Sequence, residues 1–154
     1  MDKIDKKILE ELQKNASIPL SELSKKVGLS NTPCWNRIKK LEEDKVIISK
    51  TVVLDNKKIN LPITVFLSIS IHDHTEKWLS NFERVVKKYD EITEVHRLTG
   101  TNSDYQITIL SPSIDEYDKF QQTLIKEIEC TYMSSHISLQ IIKKNHKLPL
   151  TYVN

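Results

Sequence analysis

The chain has 154 residues, of which 38% are hydrophobic and 29% are charged, with a formal net charge of +2. A composition with only two glycines excludes collagen-like and low-complexity proteins. The length is enough for one hydrophobic core or two small ones. No apolar run approaches the roughly 18 residues needed to span a bilayer, and a charged segment follows Met1, so we expect a cytoplasmic protein without membrane contact.

Two helices are predicted before Gly28. Asp2 is placed to cap the first, with Asp5 in its first turn, and an apolar stripe then runs to about Asn15: Ile4, Ile8, Leu9 and Leu12. The second helix begins near Leu20 and carries apolar residues at i, i+3 and i+7. Gly28 ends it, because glycine adopts the left-handed C′ conformation at little cost.

A third helix is predicted after Ser30, its N-cap, with Pro33 in the first turn. Its buried stripe is Cys34, Ile38 and Leu41, at i, i+4 and i+7. Residues 25–50 hold seven cations and three acids, a local basic field that favours contact with a polyanion. Two helices joined by a short turn at Gly28 match a helix-turn-helix.

Side chains off that stripe are of the types that read bases and bind phosphates. The DNA-binding candidates are Ser30, Asn31, Thr32, Trp35, Asn36, Arg37, Lys39, Lys40 and Lys50. Base contacts are expected from the N-terminal part of the helix, and phosphate contacts from Arg37 and the lysines. Two alternatives stay open: a charged helix face is usually only solvated, and Trp35, at i−3 to Ile38, also fits a core position.

The stretch VIISKTVVLDN, residues 46–56, is predicted to form a wing or linker strand. A boundary follows, so the expected organisation is a DNA-binding domain over 1–54, a linker over 55–62, a second domain over 63–143 and a tail over 144–154.

The second domain alternates predicted strands and helices. TVFLSISI, ITEVHRL, YQITIL and MSSHISLQI are the strands. One helix follows an expected capping box of Asp73 and Glu76, and the other follows Ser113 and Glu116. The order βαββαβ predicts a ferredoxin-like α+β fold with both helices on one face of an antiparallel sheet. The other sheet face and the strand at 47–54 are natural dimer surfaces.

The chain resembles the Lrp/AsnC, or feast/famine, family of transcriptional regulators. The segments that carry the resemblance are IDKKILEELQKNA, SELSKKVGLSNTPCWNRIKKLEEDKVI and the later KLPL. It covers nearly the full chain and implies a winged helix-turn-helix on operator DNA, joined to a ligand-sensing domain. It also implies a homodimer, an octamer of four dimers, and an amino-acid effector bound where dimers meet.

The effector loop of that family resembles GTNSDY here: Gly100, Thr101, Asn102, Ser103, Asp104 and Tyr105. The glycine, Asp104 and Tyr105 match the family pattern. One additional residue precedes Asp104, and Thr101 stands where the family has an acid, which weakens charge-based capture of an ammonium group.

Other functions receive less support from the sequence. His72, Asp73, His74 and Glu76 have metal-ligating side chains, but capping accounts for the two acids, and we expect no metal and no cofactor. Cys34 and Cys130 form no CxxC pair and are expected to be reduced thiols. An enzyme is another hypothesis, with His96 and Asp104 beside a pocket, but the sequence shows no recognisable set of nucleophile and base. An architectural DNA-organising protein remains the alternative to a regulator.

Overall fold

A computed structural model describes residues 1–72, 74–100 and 103–153. It divides the chain into two units, which are Met1–Val53 with Ile142–Asn154, and Leu54–Ile141. Among the described residues, no helix combines the length and the apolar character required to cross a bilayer.

The first unit contains the three predicted helices. They are α1 (Lys3–Lys14), α2 (Leu20–Val27) and α3 (Asn31–Glu43). Asp2 caps α1 in a full capping box, since its carboxylate accepts the Asp5 N–H and the Asp5 carboxylate accepts the Asp2 N–H. Gly28 ends α2 with a φ of 75°, the left-handed conformation expected from the sequence.

One apolar cluster holds these helices together. Its buried residues are Ile8, Leu9, Leu23, Val27, Cys34 and Leu41. Cys34 and Leu41 come from the predicted stripe of α3, and Ile38 packs half-buried beside them. The stripe therefore fixes which side of α3 faces inward.

The predicted strand over residues 46–56 is wrong for the single chain. All of these residues are described, and none lies in a strand. A strand exists only when its backbone groups pair with a neighbour, and the alternation in VIISKTVVL reports propensity without supplying that neighbour. The segment instead exposes a row of apolar side chains: Ile48, Val52, Val53 and Leu54.

The second unit has the predicted βαββαβ order. Its elements are β1 (Ile63–Ser70), α4 (Glu76–Lys88), β2 (Ile92–Arg97), β3 (Tyr105–Ser111), α5 (Ile114–Glu127) and β4 (Tyr132–Ile137). The strands form one antiparallel sheet in the order β2-β3-β1-β4. The ferredoxin-like fold is thus confirmed.

Alternate residues of the central strands build the second core. Val65, Leu67 and Ile69 of β1 are fully buried, as are Ile107 and Ile109 of β3, and they pack with residues of α4 and α5. The intervening side chains lie on the other face of the sheet, where Phe66 is 37% exposed.

Helix starts and strand ends differ in detail from the predictions. Thr75, and not Asp73, caps α4, because the Thr75 hydroxyl accepts the Trp78 N–H at 3.3 Å; Asp73 lies outside the described residues. Ser113 caps α5 as predicted, accepting the Glu116 N–H. β4 ends at Ile137, earlier than the alternation suggests, and Leu139 beyond it is 96% exposed.

The C-terminal segment packs within the first unit. Gln13 of α1 accepts the Leu148 N–H at 2.5 Å and donates to the Leu148 carbonyl at 3.3 Å. The Lys6 ammonium donates to the Val153 carbonyl, and Leu150 packs on the helical cluster. This segment is therefore a fourth structural element of the unit that contains the helix-turn-helix.

Candidate functional site

The outward side of α3 carries exposed side chains of the types that contact DNA. Thr32, Trp35, Asn36, Lys39 and Lys40 are all exposed. The Trp35 indole is 50% exposed and lies outside the buried cluster, so the core alternative for this residue does not hold. The Lys39 ammonium lies 5.7 Å from the centre of the indole ring, a cation–π contact that orients both side chains.

The first residues of α3 are partly engaged within the protein. Ser30 occupies the N-cap position with extended backbone, but its side chain forms no capping hydrogen bond. The Asn31 side-chain oxygen accepts a hydrogen bond of 2.7 Å from the hydroxyl of Ser24, which is buried in α2. That bond fixes the amide plane of Asn31 and leaves its NH₂ group to face outward partners.

Two predicted phosphate ligands share one carboxylate. Glu42 accepts from the Lys50 ammonium at 2.8 Å and from the Lys39 ammonium at 3.3 Å. These hydrogen bonds, first from Lys50 and then from Lys39, lower the pKa of Glu42. Both lysines remain substantially exposed, so solvent screens these pairs and a phosphate can compete for the ammonium groups.

Arg37 is engaged by two acids of α1. Its Nη1 donates to Asp2 Oδ2 at 2.6 Å and to Asp5 Oδ1 at 2.7 Å. The hydrogen bonds that Arg37 donates to Asp5 and then to Asp2 raise the pKa of Arg37. The sequence reading named Arg37 but missed this partnership. The available signal was the spacing, since Arg37 is i+3 from Cys34 and i−4 from Leu41 and therefore lies on the buried edge of α3.

Lys40 differs from the other cations of α3. It is exposed and forms no ion pair with any residue in the described part of the chain. Its ammonium is thus the cation of this helix that meets least competition from the protein's own carboxylates.

The loop predicted to hold an effector is tied to the end of β1. Asp104 Oδ2 accepts the Ile71 N–H at 2.8 Å, and the Asp104 N–H donates to the Ile69 carbonyl at 2.9 Å. The other carboxylate oxygen lies 3.8 Å from His74 Nε2. Asp104 therefore has one oxygen committed to the backbone and one near a titratable side chain.

Other members of that loop differ in their exposure. Tyr105 is only 6% exposed, and its ring packs against both Trp78 and Phe82 of α4. Gly100 has a φ of 150°, a conformation that side-chain-bearing residues rarely adopt, and Ser103 donates to the Tyr105 carbonyl. Thr101 and Asn102 lie outside the described residues.

A cavity of about 480 Å³ opens beside Ile71, just after the end of β1. Ile71, whose N–H binds Asp104, is one of its walls. The lining is mixed in character: Ile71, His72, Thr75, Lys77, Trp78, Asn81, Glu129, Cys130 and Thr131. The sequence patterns did not reveal this cavity, because its walls come from segments far apart in the chain.

The remaining candidates have ordinary surroundings. Cys34 is buried and Cys130 half-buried, both are free thiols, and burial raises the pKa of each. In the part of the chain that the structure describes, no three metal-ligating side chains are grouped so that they could hold a metal ion.

Two family models match the chain. A winged helix-turn-helix DNA-binding model matches residues 1–48, and a model of the Lrp/AsnC ligand binding domain matches residues 64–148. The second match alone covers more than half of the chain.

Curated relatives and solved structures agree with these matches. The chain is 40% identical over 150 residues to the glutamate uptake regulatory protein of Zymomonas mobilis, covering 97% of this chain and 91% of the relative. An AsnC family transcriptional regulator from Agrobacterium tumefaciens has a TM-score of 0.94 and 42% identity, with both chains fully covered. A Neisseria meningitidis transcriptional regulator in complex with L-methionine has a TM-score of 0.93 and 30% identity, with 100% and 99% covered.

Proposed function

The chain belongs to the Lrp/AsnC family of transcriptional regulators, and from that premise we propose that α3 enters the major groove of operator DNA. The protein is a sequence-specific DNA-binding regulator and not an enzyme. The observation that carries the proposal for α3 is its outward side, where unburied amide, indole and ammonium groups stand together.

Base reading is assigned to the N-terminal half of α3. Asn36 and Thr32 are exposed and can present donors and acceptors to base edges, and the Asn31 NH₂ group adds a donor of fixed orientation. Trp35 supplies an apolar surface for a thymine methyl group or a sugar. Ser30, at the N-cap, is placed to donate its hydroxyl to the DNA backbone.

Phosphate binding is assigned to Lys39, Lys40 and Lys50. Each is exposed, and the two that share Glu42 hold it through solvent-screened contacts. These lysines supply affinity and salt dependence, whereas the N-terminal half of α3 supplies sequence preference.

Two copies of the chain are proposed to act together, because one recognition helix contacts too little DNA for useful specificity. The two helices would address half-sites about one helical turn apart. The exposed apolar row of residues 46–56 and the open face of the sheet are suited to a homodimer. The octamer of four dimers is the larger assembly that family membership favours, and the cytoplasm is the proposed location.

An amino acid is proposed as the effector, bound at the dimer–dimer interface beside the loop of Gly100–Tyr105. The Neisseria relative binds L-methionine, which supports this ligand class. The adjoining cavity contains both signs of charge that a zwitterion requires, from Lys77 and Glu129. Its apolar walls, Ile71 and Trp78, would accommodate a side chain.

Selection of duplexes from a randomised library, followed by competition against a scrambled duplex, tests the DNA assignment. A regulator enriches a common sequence and binds it at least about a thousandfold more tightly than the scrambled duplex. Equal affinity for the two duplexes would instead identify an architectural protein. Asn36→Ala should change the enriched sequence, while Lys126→Ala, at an exposed position of α5, should leave it unchanged.

A thermal-shift screen of the twenty amino acids tests the effector assignment. A ligand present at a hundred times its Kd stabilises the folded chain by about 2.7 kcal/mol, which is a readily measured shift. The absence of a thermal shift with all twenty amino acids would contradict an amino-acid effector.

A further inference from the structure

The ion-pair cluster between α3 and α1 has a geometry that separates Arg37 from the other cations of the recognition helix. One guanidinium nitrogen contacts both Asp2 and Asp5, at 2.6 and 2.7 Å. Distances this short are typical of charge-assisted hydrogen bonds. The same two carboxylates form the capping box that starts α1. Arg37 is therefore joined to the first turn of α1 through groups that are themselves fixed.

The direction of the Arg37 side chain follows from its place on the helix. Cys34, Arg37 and Leu41 stand at i, i+3 and i+7, so they share one side of α3. Cys34 is 0% exposed and Leu41 is 5% exposed. The Arg37 side chain is 33% exposed, and Asp5 beneath it is 17% exposed. Arg37 thus extends the packed side of α3 and not the side proposed to face DNA.

The charges of the cluster also disfavour a phosphate. One guanidinium serves two carboxylates, which leaves a local charge of −1. The pKa of Asp2 is lowered, first by the hydrogen bond from the Asp5 N–H and then by the hydrogen bond from Arg37, and the contacts to the two carboxylates raise the pKa of Arg37. A phosphate approaching this guanidinium would meet two anions that already hold it.

We propose that Arg37 is a positioning residue, which clamps α3 to the capping box of α1 and so sets the orientation in which α3 presents its base-reading side chains. It contributes no phosphate contact. Asp2 and Asp5 belong to the same device, because they hold the guanidinium. The inference rests on α3 being the recognition helix, and it concerns how specificity is obtained, not whether DNA is bound.

The two roles make opposite predictions for Asp5→Asn in the full chain. If Arg37 positions α3, removing the charge of Asp5 weakens the clamp, and the affinity for a library-selected duplex falls relative to that for a scrambled duplex. If Arg37 binds phosphate, removing its competitor frees the guanidinium and tightens binding to both duplexes. Glu10→Gln is the matched control, since Glu10 is an exposed acid of α1 that forms no ion pair with any described residue, and its change reports charge removal alone.

The experiment measures anisotropy of both labelled duplexes over a range of salt, for the native chain, Arg37→Ala, Asp5→Asn, the double variant and Glu10→Gln. We expect about a tenfold fall in the specificity ratio for each single substitution, no further fall in the double variant, and unchanged salt slopes. A salt slope reduced by about 0.9 per subunit in Arg37→Ala would overturn the proposal. So would an Asp5→Asn ratio equal to that of Glu10→Gln.

Loss of folding and loss of DNA binding are kept separate from this result. Thermal melting by circular dichroism identifies a variant that does not fold, and Asp5→Asn, which keeps the shape of the side chain and Arg37 itself, decides the question if Arg37→Ala unfolds. If the native chain showed no preference for any selected duplex, the recognition-helix assignment would fail instead, and it would fail before any variant was measured.

Discussion

Lys40→Ala should reduce the salt dependence of DNA binding by the amount expected for one lost phosphate contact in each subunit. Lys40 is the exposed cation of α3 without an ion pair among the described residues, so its ammonium is free to neutralise a phosphate. Each phosphate neutralised contributes about −0.9 to the slope of log K against log salt. With Lys39, Lys40 and Lys50 each neutralising one phosphate in both subunits of a dimer, the slope is about −5.4, and it becomes about −3.6 in the variant.

The difference is large on a measured scale. When salt rises fourfold, from about 50 to about 200 mM, these slopes correspond to affinity losses of about 2,000-fold and about 150-fold. Anisotropy titrations on the selected and the scrambled duplex give both slopes, and the variant should lose affinity equally on the two. Lys126→Ala of α5 is the control and should retain the native slope. An unchanged slope in Lys40→Ala would refute the phosphate assignment.

The contacts of Asp104, Leu150 and Asp2 each give a substitution with a measurable effect. Asp104→Ala should abolish an amino-acid thermal shift and keep basal DNA affinity. Asp104→Asn should keep the hydrogen bond from the Ile71 N–H. An unaltered effector titration in Asp104→Ala would show that the loop takes no part in the mechanism. Leu150→Ala should destabilise the first unit by about 1–2 kcal/mol, because a half-buried leucine loses part of its packing, and Leu148→Ala, whose side chain is 69% exposed, should change the melting temperature little. Because the pKa of Asp2 is lowered in the folded state, Asp2 contributes stability at pH values above its ordinary pKa of 3.8, and this contribution is lost as the pH falls through the folded pKa. Asp2→Asn should therefore reduce the fall in melting temperature below about pH 4. An equally steep fall in the variant would contradict this.

Local signals predicted the elements well because each rested on a physical rule that acts within a few residues. The stripe Cys34–Leu41, the left-handed Gly28 and the cap at Asp2 all appear where periodicity and capping place them. The alternation in β3 matches its burial, with Tyr105, Ile107 and Ile109 inward.

Contacts between distant residues were the part that the sequence could not supply. The strand over 46–56 failed because alternation measures side-chain pattern and not the presence of a pairing partner. The cap of α4 is Thr75 because the helix begins one residue after it, a boundary that propensity does not fix. Asp5 could be read as a first-turn acid, but its second role with Arg37, across 32 positions, depends on how α1 and α3 pack.

The distribution of acids explains why a basic recognition helix need not bind DNA through every cation it carries. Asp2 and Asp5 hold Arg37 on the packed side of α3, Glu42 draws Lys39 and Lys50 together on the exposed side, and Lys40 stands apart. The Arg37–Asp5 pair, with side chains 33% and 17% exposed, restricts the geometry of its helix. The lysine pairs of Glu42 are more exposed and yield to a phosphate, because solvent screening leaves them little net free energy. Net charge over residues 25–50 therefore overstates the phosphate contacts, and the cations that count are those whose carboxylate partners can release them.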